Sequence, residues 1–424
     1  MDNHRRRTAQ HAAILFAVAL AVRMMIALSL PHNDAVFWDQ PYWEYARNFA
    51  HDHEFWMPNP YGPEIGLQRV YAFRPPLFPF LWGCIYNLTG GSYLPLRAAF
   101  AVLGAASCAL AYLIGLEMTG RRSVAFLGGL LCAFYPPLVW HSVHLMTEPL
   151  FIFLSTLCIY AAFVLRRSAQ TRWAVAAGVA AGLAALTRSM MIGFLPFLAF
   201  WVWWTRRRSL PAGAGGRAWL HAAVFCGAAL MTMSPWIIRN AIVFRAFVPA
   251  TTDAGHGFYV ANNPRALANP SGFSTPKDWS FLLKPGETSV GELEASRRLM
   301  RITAEYLVSH PGEAARLIAR RFVTLWRFYP HPEFVRPNYV IIYAISYIPL
   351  FPFILFGLWL VHRHSGEFLA DLVLVDALIL YTAGAYTIFL AMMRYREPLM
   401  PYLLLFAALG LLTAWEFILE RIRR

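Results

Sequence analysis

The chain has 424 residues, of which 58% are hydrophobic and 14% are charged, and its mean hydropathy is +0.45. Soluble domains carry about 25% charged residues, so the composition excludes an ordinary soluble protein, and apolar runs that do not alternate exclude a transmembrane β-barrel. The net charge of +14 does not indicate a nucleic-acid partner. The arginines cluster in short loops at the ends of apolar runs, which is the positive-inside pattern of a membrane protein.

The basic N-terminal stretch leads into an apolar run over residues 12–30. No small-residue cleavage site follows it, so we interpret the run as an uncleaved first span with a cytoplasmic N-terminus. The next segment, 31–76, is polar and aromatic, and it is predicted to be the first outer loop. Within it, WDQPYWEYARNFA has the character of an interfacial helix, and the prolines of FRPPLFPFLWGC argue against a straight span.

Arginine clusters at alternate ends of the later apolar runs assign their orientation. They predict an all-α polytopic membrane protein with about ten transmembrane helices and both termini in the cytoplasm. The predicted spans are 12–30, 94–117, 123–140, 149–165, 173–187, 190–204, 218–238, 339–361, 368–391 and 399–417.

These spans divide the chain into three parts. They are an N-terminal membrane module (1–238), an outer segment (239–338) and C-terminal membrane helices (339–424). The outer segment contains the loop TTDAGHGFYVANNP and an amphipathic helical stretch, which His310-Pro311 divides in two.

The polar residues of interest fall on the outer face under this topology. Acids and arginines that converge on one face of a membrane protein are typical of an active site. The set comprises Asp34, Asp39, Glu44, Arg74, His141, His144, Glu148, Arg188, Arg239, Asn262, Asn263, Arg394 and Arg396.

Among the acids, Asp39 lies between aromatic residues, where partial desolvation makes a carboxylate a stronger proton acceptor. A helix N-cap would also explain it, and Asp34 competes for the same role. Glu148 begins a span, where the helix dipole stabilises an acid. Together with His141 and His144 it also has the composition of a weak divalent-metal motif.

Arginines in outer loops are exceptions to the positive-inside rule, under which Lys and Arg are concentrated in cytoplasmic loops. A phosphate ligand would explain them, because the guanidinium group matches the phosphate oxygens. This applies to Arg188, Arg239, Arg394 and Arg396. Arg23 lies inside the first span, where it either has a functional role or is a structural residue that extends to the membrane surface or pairs with a backbone carbonyl group.

The order of several motifs resembles the GT-C glycosyltransferases, in the branch of the protein O-mannosyltransferases and bacterial aminoarabinose transferases. The resemblance covers nearly the whole chain. The stretches that carry it are WDQPYWEYARNFA, FRPPLFPFLWGCIYNLTG, YPPLVWHSVHLMTEPLFIFL, GLAALTRSMMIGFLP, SPWIIRNAIVFRAFVPATTDAGHGFYVANNP and RYREPLMPYLLLFAALGL.

The resemblance implies transfer of a sugar from a polyprenyl-phosphate donor to an acceptor hydroxyl on the outer face. The acceptor would be a glycolipid, a cell-wall glycan or a protein, and the enzyme would lie in the inner (plasma) membrane. The catalytic acid of the first outer loop matches Asp39, and a second acid matches Glu148. The family pattern places Glu or Tyr about four residues after the first acid, whereas here Tyr42 and Glu44 flank that position, so Asp34 remains an alternative.

The predicted roles of the other residues follow from this scheme. Arg394 and Arg396, supported by Arg188 and Arg239, would bind the donor phosphate, and no cofactor is expected. Substrate contacts are predicted for Tyr42, Glu44, Arg74, His141, His144, Asn262 and Asn263.

Other classes of protein also fit parts of the pattern. A transporter or flippase of a lipid-linked or anionic substrate would use polar residues at the midplane, and Asp371 and Asp376 are the features in its favour. The remaining alternatives are a glycan polymerase or ligase with a polyprenyl-diphosphate donor, and a membrane scaffold without catalytic activity.

Overall fold

The computed structural model describes residues 2–30, 40–209, 215–269, 272–331, 337–363, 366 and 369–423. This part of the chain is almost entirely helical. The long apolar helices of the N-terminal half are α1 (Asp2–Ser29), α4 (Leu94–Thr119), α7 (Glu148–Ser168), α8 (Thr171–Thr187), α9 (Met190–Arg208) and α10 (Gly215–Phe244). Those of the C-terminal half are α15 (Pro337–Tyr347), α16 (Phe351–Arg363), α17 (Leu369–Ile388) and α18 (Met400–Arg423).

The remaining elements lie between these helices. The helical ones are α2 (Gln40–Asp52), α3 (Leu77–Leu88), α5 (Arg122–Phe134), α6 (Pro136–Val143), α11 (Ala254–Ala261), α12 (Pro264–Ala268), α13 (Glu292–Ser309) and α14 (Pro311–Trp326). Three 3-10 turns cover Pro63–Ile65, Ser280–Leu282 and Met393–Leu399. Strands β1 (Met57–Pro58) and β2 (Arg69–Val70) pair antiparallel, with Met57 opposite Val70.

The polytopic helical fold predicted from the sequence is confirmed. Within the described ranges, 7 helices are long and apolar enough to cross a membrane, or up to 8 if α5 and α6 count as one span. The count of ten is therefore not confirmed. The third predicted span is bent by 52° between α5 and α6, because Pro136 and Pro137 lack the N–H groups that would continue the helix.

The membrane helices share one large core that includes residues of α4, α7, α8, α9 and α18. Small residues permit the closest approach between helices there. Gly357 of α16 packs on the backbone of α18, and a Cβ atom at this position would meet the carbonyl oxygen of Phe406. Gly410 of α18 faces Phe353 of α16 in the same way.

Replacement of Gly357 by alanine is therefore expected to separate α16 from α18 and to lower the free energy of unfolding by about 1–3 kcal/mol, as overpacking does. The measurement is thermal unfolding of the purified protein in detergent. Gly384→Ala is the matched control, because a Cβ atom there meets no atom within 4 Å in the described part of the chain. Equal midpoints for the two variants would contradict the close packing.

A second, smaller core lies outside the helix bundle. It joins residues of the first loop, such as Tyr45, Tyr61 and Phe73, to Trp279 and Leu299 of the outer segment. These two segments, which the sequence analysis assigned to different modules, therefore form one packed unit. We call it the outer unit, defined by residues 45–73, 248–269 and 272–299.

Glu292 connects the two segments of the outer unit by hydrogen bonds. Its buried carboxylate accepts hydrogen bonds from the backbone N–H groups of Tyr71 at 2.6 Å and Ala72 at 3.0 Å, and from the hydroxyl of Thr252. Nearby, burial and the charge of Arg74 lower the pKa of His256 to about 3. The imidazole of His256 is therefore neutral, which suits its position among the rings of Tyr61, Phe73 and Trp279.

Candidate active site

A cavity of about 360 Å³ opens between α6, the end of α14, α15 and the 3-10 turn Met393–Leu399. Its walls combine aromatic rings with two arginines and two histidines. The lining includes Trp140, His141, Met146, Thr324, Arg327, Tyr329, His331, Tyr339, Tyr343 and Arg394. An apolar cavity with a few polar groups is typical of a small-molecule site.

Glu148 lies behind this cavity at the first position of α7 and is fully buried. Its Oε1 atom is 2.6 Å from Nη2 of Arg188 and 4.0 Å from Nε of Arg394. A buried carboxylate requires such partners, because its desolvation would otherwise be too costly. The sequence analysis predicted these three residues for one site, and the structure brings them together.

Arg188 follows α8 and faces the start of α7. The hydroxyl of Thr147 accepts hydrogen bonds from its Nε at 3.1 Å and its Nη2 at 2.9 Å. Burial lowers the pKa of the Arg188 guanidinium, but the charge of Glu148 and the nearby hydroxyls of Tyr386 and Tyr395 together offset this and leave the pKa raised. Arg188 is thus positively charged, and it contacts Glu148 and is not part of the cavity lining.

Arg394 and Arg396 lie in the same 3-10 turn but have different surroundings. Arg394 lines the cavity. Arg396 is fully buried, lies 3.9 Å from the ring centre of Tyr347, and donates a hydrogen bond of 2.9 Å from Nη1 to the carbonyl oxygen of Arg327. Its guanidinium therefore joins the 3-10 turn to the end of α14, and a phosphate contact from Arg396 stays a prediction.

Arg327 is a site residue that the sequence analysis missed. It follows the last residue of α14 and lines the cavity together with Arg394. Its guanidinium carbon is 5.6 Å from the ring centre of Tyr329. The signal in the sequence was an outer-segment arginine directly before FYPHP, but the arginines upstream in the same amphipathic stretch obscured it.

The two predicted histidines have different surroundings. Nε2 of His141 is 3.4 Å from the hydroxyl of Tyr343 at the cavity wall. His144 stacks on Trp140 and forms a 2.9 Å hydrogen bond with its carbonyl oxygen. No three His, Cys, Asp or Glu side chains approach closely enough to hold a metal ion anywhere in the described ranges. The structure thus does not group His141, His144 and Glu148 as a set of metal ligands, and metal binding by these residues stays an untested prediction.

Several other predicted residues contact the outer unit or its neighbours. Arg74 forms a 2.8 Å salt bridge with Asp253, Glu44 pairs with Arg47 at 2.6 Å, and Tyr42 packs edge-on against Phe78. These contacts give the three side chains structural roles, and their predicted contacts with substrate stay predictions.

Arg239, Asn262 and Asn263 use their polar atoms within the chain. Arg239 donates to the carbonyl oxygens of Tyr71 and Phe55. Asn262 donates to Ile388 at 3.1 Å, and Asn263 caps α12. Roles of these residues in phosphate or substrate binding stay predictions.

The two candidate bases, Asp34 and Asp39, lie outside the described residues. What the structure does describe is the helix that follows them, since α2 begins at Gln40. The predicted helix in WDQPYWEYARNFA is therefore confirmed from Gln40 onward.

Two charged residues that the sequence analysis placed inside membrane spans, Arg23 and Asp371, have polar partners in the structure. Arg23 donates to the carbonyl oxygen of Ala133 at 3.2 Å and to the hydroxyl of Ser142 at 3.2 Å. This agrees with the structural alternative, in which Arg23 pairs with a backbone carbonyl group. Asp371 forms a 2.5 Å ion pair with Arg166, so it serves to join α17 to the end of α7.

Comparison with known proteins places this geometry in context. The chain is similar along 99% of its length to the oligosaccharyltransferase AglB from Archaeoglobus fulgidus in complex with an inhibitory peptide and a dolichol-phosphate, with 15% identity and a TM-score of 0.60. It is similar along 94% of its length to ArnT from Cupriavidus metallidurans bound to undecaprenyl phosphate, with 16% identity and a TM-score of 0.55. It spans 52% and 59% of those two chains, or little more than half of their length.

The shared architecture defines a GT-C-type membrane fold. Residues 13–247, which are more than half of the chain, match the family described as dolichyl-phosphate-mannose-protein mannosyltransferase. The chain belongs to this family, and the resemblance noted in its motifs is confirmed. No curated protein matches the chain.

Proposed function

We propose that this protein is an integral membrane glycosyltransferase that moves a sugar from a polyprenyl-phosphate donor to an acceptor hydroxyl on the outer face of the plasma membrane. The observation that carries the proposal is the cavity with Arg327 and Arg394 in its wall, backed by the buried pair of Glu148 and Arg188. Family membership and the lipid phosphates bound by the two similar structures support the same donor class.

The cavity suits a donor of this kind because it combines two types of surface. The guanidinium groups of Arg327 and Arg394 match phosphate oxygens. The rings of Trp140, Tyr339 and Tyr343 provide flat apolar faces for a sugar ring or the first isoprene unit. Positive charge fixed at the leaving phosphate stabilises the negative charge that develops there during transfer.

The reaction would be a single displacement. Asp39, or alternatively Asp34, removes the proton of the acceptor hydroxyl, and the oxygen attacks the anomeric carbon of the donor. The bond between this carbon and the phosphate oxygen breaks, and the electron pair leaves with the polyprenyl phosphate. The configuration at the anomeric carbon is inverted.

Glu148 would act as a positioning residue in this scheme. Its carboxylate is fully buried and ion-paired at 2.6 Å with Arg188, so it is not available to accept a proton from the acceptor. It lies 4.0 Å from Nε of Arg394 and would attract that arginine toward its place in the cavity wall. The acid of the first loop therefore remains as the proposed base.

Replacement of Arg394 or Arg327 by alanine is expected to raise the apparent KM for the donor. A charged hydrogen bond is worth about 1.5–3 kcal/mol, which corresponds to an increase of roughly 10- to 100-fold. The measurement is sugar transfer by the purified protein from a panel of labelled polyprenyl-phosphate sugars to extracted envelope lipids, glycans and proteins.

The matched control for this experiment is Arg69→Ala, which removes an arginine that is half exposed and stacks on Trp56, away from the cavity. Its KM should equal that of the wild type. An unchanged KM for both cavity variants would remove Arg327 and Arg394 from the donor site. Absence of transfer from every donor in the panel by the wild-type protein would contradict the proposed function itself.

A further inference from the structure

Helix α14 has two contrasting faces. Leu317, Arg321 and Leu325, spaced four residues apart, are buried against the rest of the protein. On another face Ile318, Phe322 and Val323 are 40%, 52% and 62% exposed. Exposed apolar side chains grouped on one helix face mark a surface that contacts another apolar phase.

The position of α14 identifies that phase. The guanidinium of Arg321 donates hydrogen bonds of 2.6 Å to the carbonyl oxygen of Thr387 and 2.7 Å to the side chain of Asn262. Thr387 is in the last turn of α17, a helix long and apolar enough to cross the membrane. Helix α14 therefore lies against the end of a membrane span. The residues that follow, Ile388 and Phe389, are themselves 48% and 40% exposed.

The charge next to the apolar face is positive. Arg316 is exposed and precedes Val323 by two helical turns, which places it at the edge of that face. Glu313, the acid in the first turn of α14, accepts a hydrogen bond from the hydroxyl of Tyr306, and Glu294 of α13 pairs with Arg298. Glu294 is thus paired with a cation, and the carboxylate of Glu313 is engaged by a hydroxyl within the protein. Glu305 is the exposed acid that remains on α13.

We propose that α14 is an interfacial helix that inserts Ile318, Phe322 and Val323 among lipid chains and binds the headgroups of acidic phospholipids through Arg316. An apolar face with arginine at its edge is the pattern of helices that lie in the plane of the membrane surface. The long side chain of arginine reaches from such a face to the phosphate layer. The partner is therefore the anionic lipid surface, and not a soluble protein.

The position of the apolar face can be tested in the full-length protein reconstituted in nanodiscs. A fluorophore is attached to Phe322→Cys, and wild-type protein labelled in parallel corrects for Cys84 and Cys226, which are half-buried. A lipid-borne nitroxide is expected to quench this probe, and aqueous iodide is not. The control variant is Lys284→Cys, which places the same fluorophore in an exposed loop, where iodide is expected to quench it. Quenching of the Phe322 probe by iodide alone, or protection from both quenchers, would overturn the insertion.

The preference for acidic lipid needs its own measurement. Nanodiscs are made from phosphatidylcholine with phosphatidylglycerol, and the lipid retained by the protein after transfer to detergent is measured by mass spectrometry. Each arginine near an anionic surface contributes about 1 kcal/mol, so Arg316→Gln is expected to bind phosphatidylglycerol about fivefold more weakly. Arg69→Gln is the control and should retain the wild-type amount. Equal retention by both variants and the wild type would overturn the role of Arg316.

Discussion

Replacement of Glu148 by alanine is expected to lower the free energy of unfolding by about 3–5 kcal/mol, because it leaves a buried arginine without its counter-charge. The carboxylate is fully buried and contacts the guanidinium groups of Arg188 at 2.6 Å and Arg394 at 4.0 Å. Without it, two like charges face each other at low dielectric. Arg394 is then expected to move, so sugar transfer should fall together with stability.

Thermal unfolding followed by tryptophan fluorescence measures this effect. The matched control is Glu416→Ala, which removes the same side chain from an exposed ion pair with Arg121. An exposed pair contributes about 0–1 kcal/mol. The double variant Glu148→Met with Arg188→Met should recover part of the lost stability, because it removes the unpaired charge as well. If Glu148→Ala and Glu416→Ala unfold at the same temperature, the buried ion pair is not required for stability.

Replacement of Asp39 by asparagine is expected to reduce the turnover number for sugar transfer by about 100- to 10,000-fold, which is the usual contribution of a general base. The amide has the shape of the carboxylate but does not accept the acceptor proton. Because the donor phosphate is bound by other residues in the proposed mechanism, the KM for the donor should change little. Single-turnover assays with labelled donor separate these two quantities.

Asp34→Asn serves as the control for the position of the base. It lies in the same loop, five residues earlier in the chain, and should keep near wild-type turnover. A large loss in Asp34→Asn with normal turnover in Asp39→Asn would assign the base to Asp34. Full activity in both variants would exclude Asp34 and Asp39 as the base.

Features that depend on local sequence could be predicted well. The apolar runs identified the membrane helices, and the dipeptide His310-Pro311 marked the boundary between α13 and α14. Proline also explains a bend that the sequence analysis did not predict, since the predicted span 123–140 is bent by 52° where Pro136 and Pro137 begin α6. The apolar composition of this segment predicts a span. It does not show the bend, because the bend depends on the backbone N–H groups that the two prolines lack.

Features that depend on distant contacts could be predicted only in part. Glu148 and Arg188 were both identified as outer polar residues, but nothing local shows that they form a pair across 40 positions. Arg327 was missed for the same reason, because its proximity to Arg394 arises from the packing of α14 against the 3-10 turn. The different contacts of His141, with the hydroxyl of Tyr343, and His144, with the ring of Trp140, likewise arise from packing that the local sequence does not show.

The contacts of the Glu292 carboxylate limit how early the outer unit can fold during synthesis. It binds the backbone of Tyr71 across a separation of 221 positions, and contacts between distant residues form late because closing a long loop costs entropy. The first loop leaves the ribosome long before its partner does. The outer unit therefore cannot complete its core until α10 has been synthesised and α13 has followed it. A chain that stops before Glu292 would lack this carboxylate and the contributions of Ala295 and Leu299 to the core.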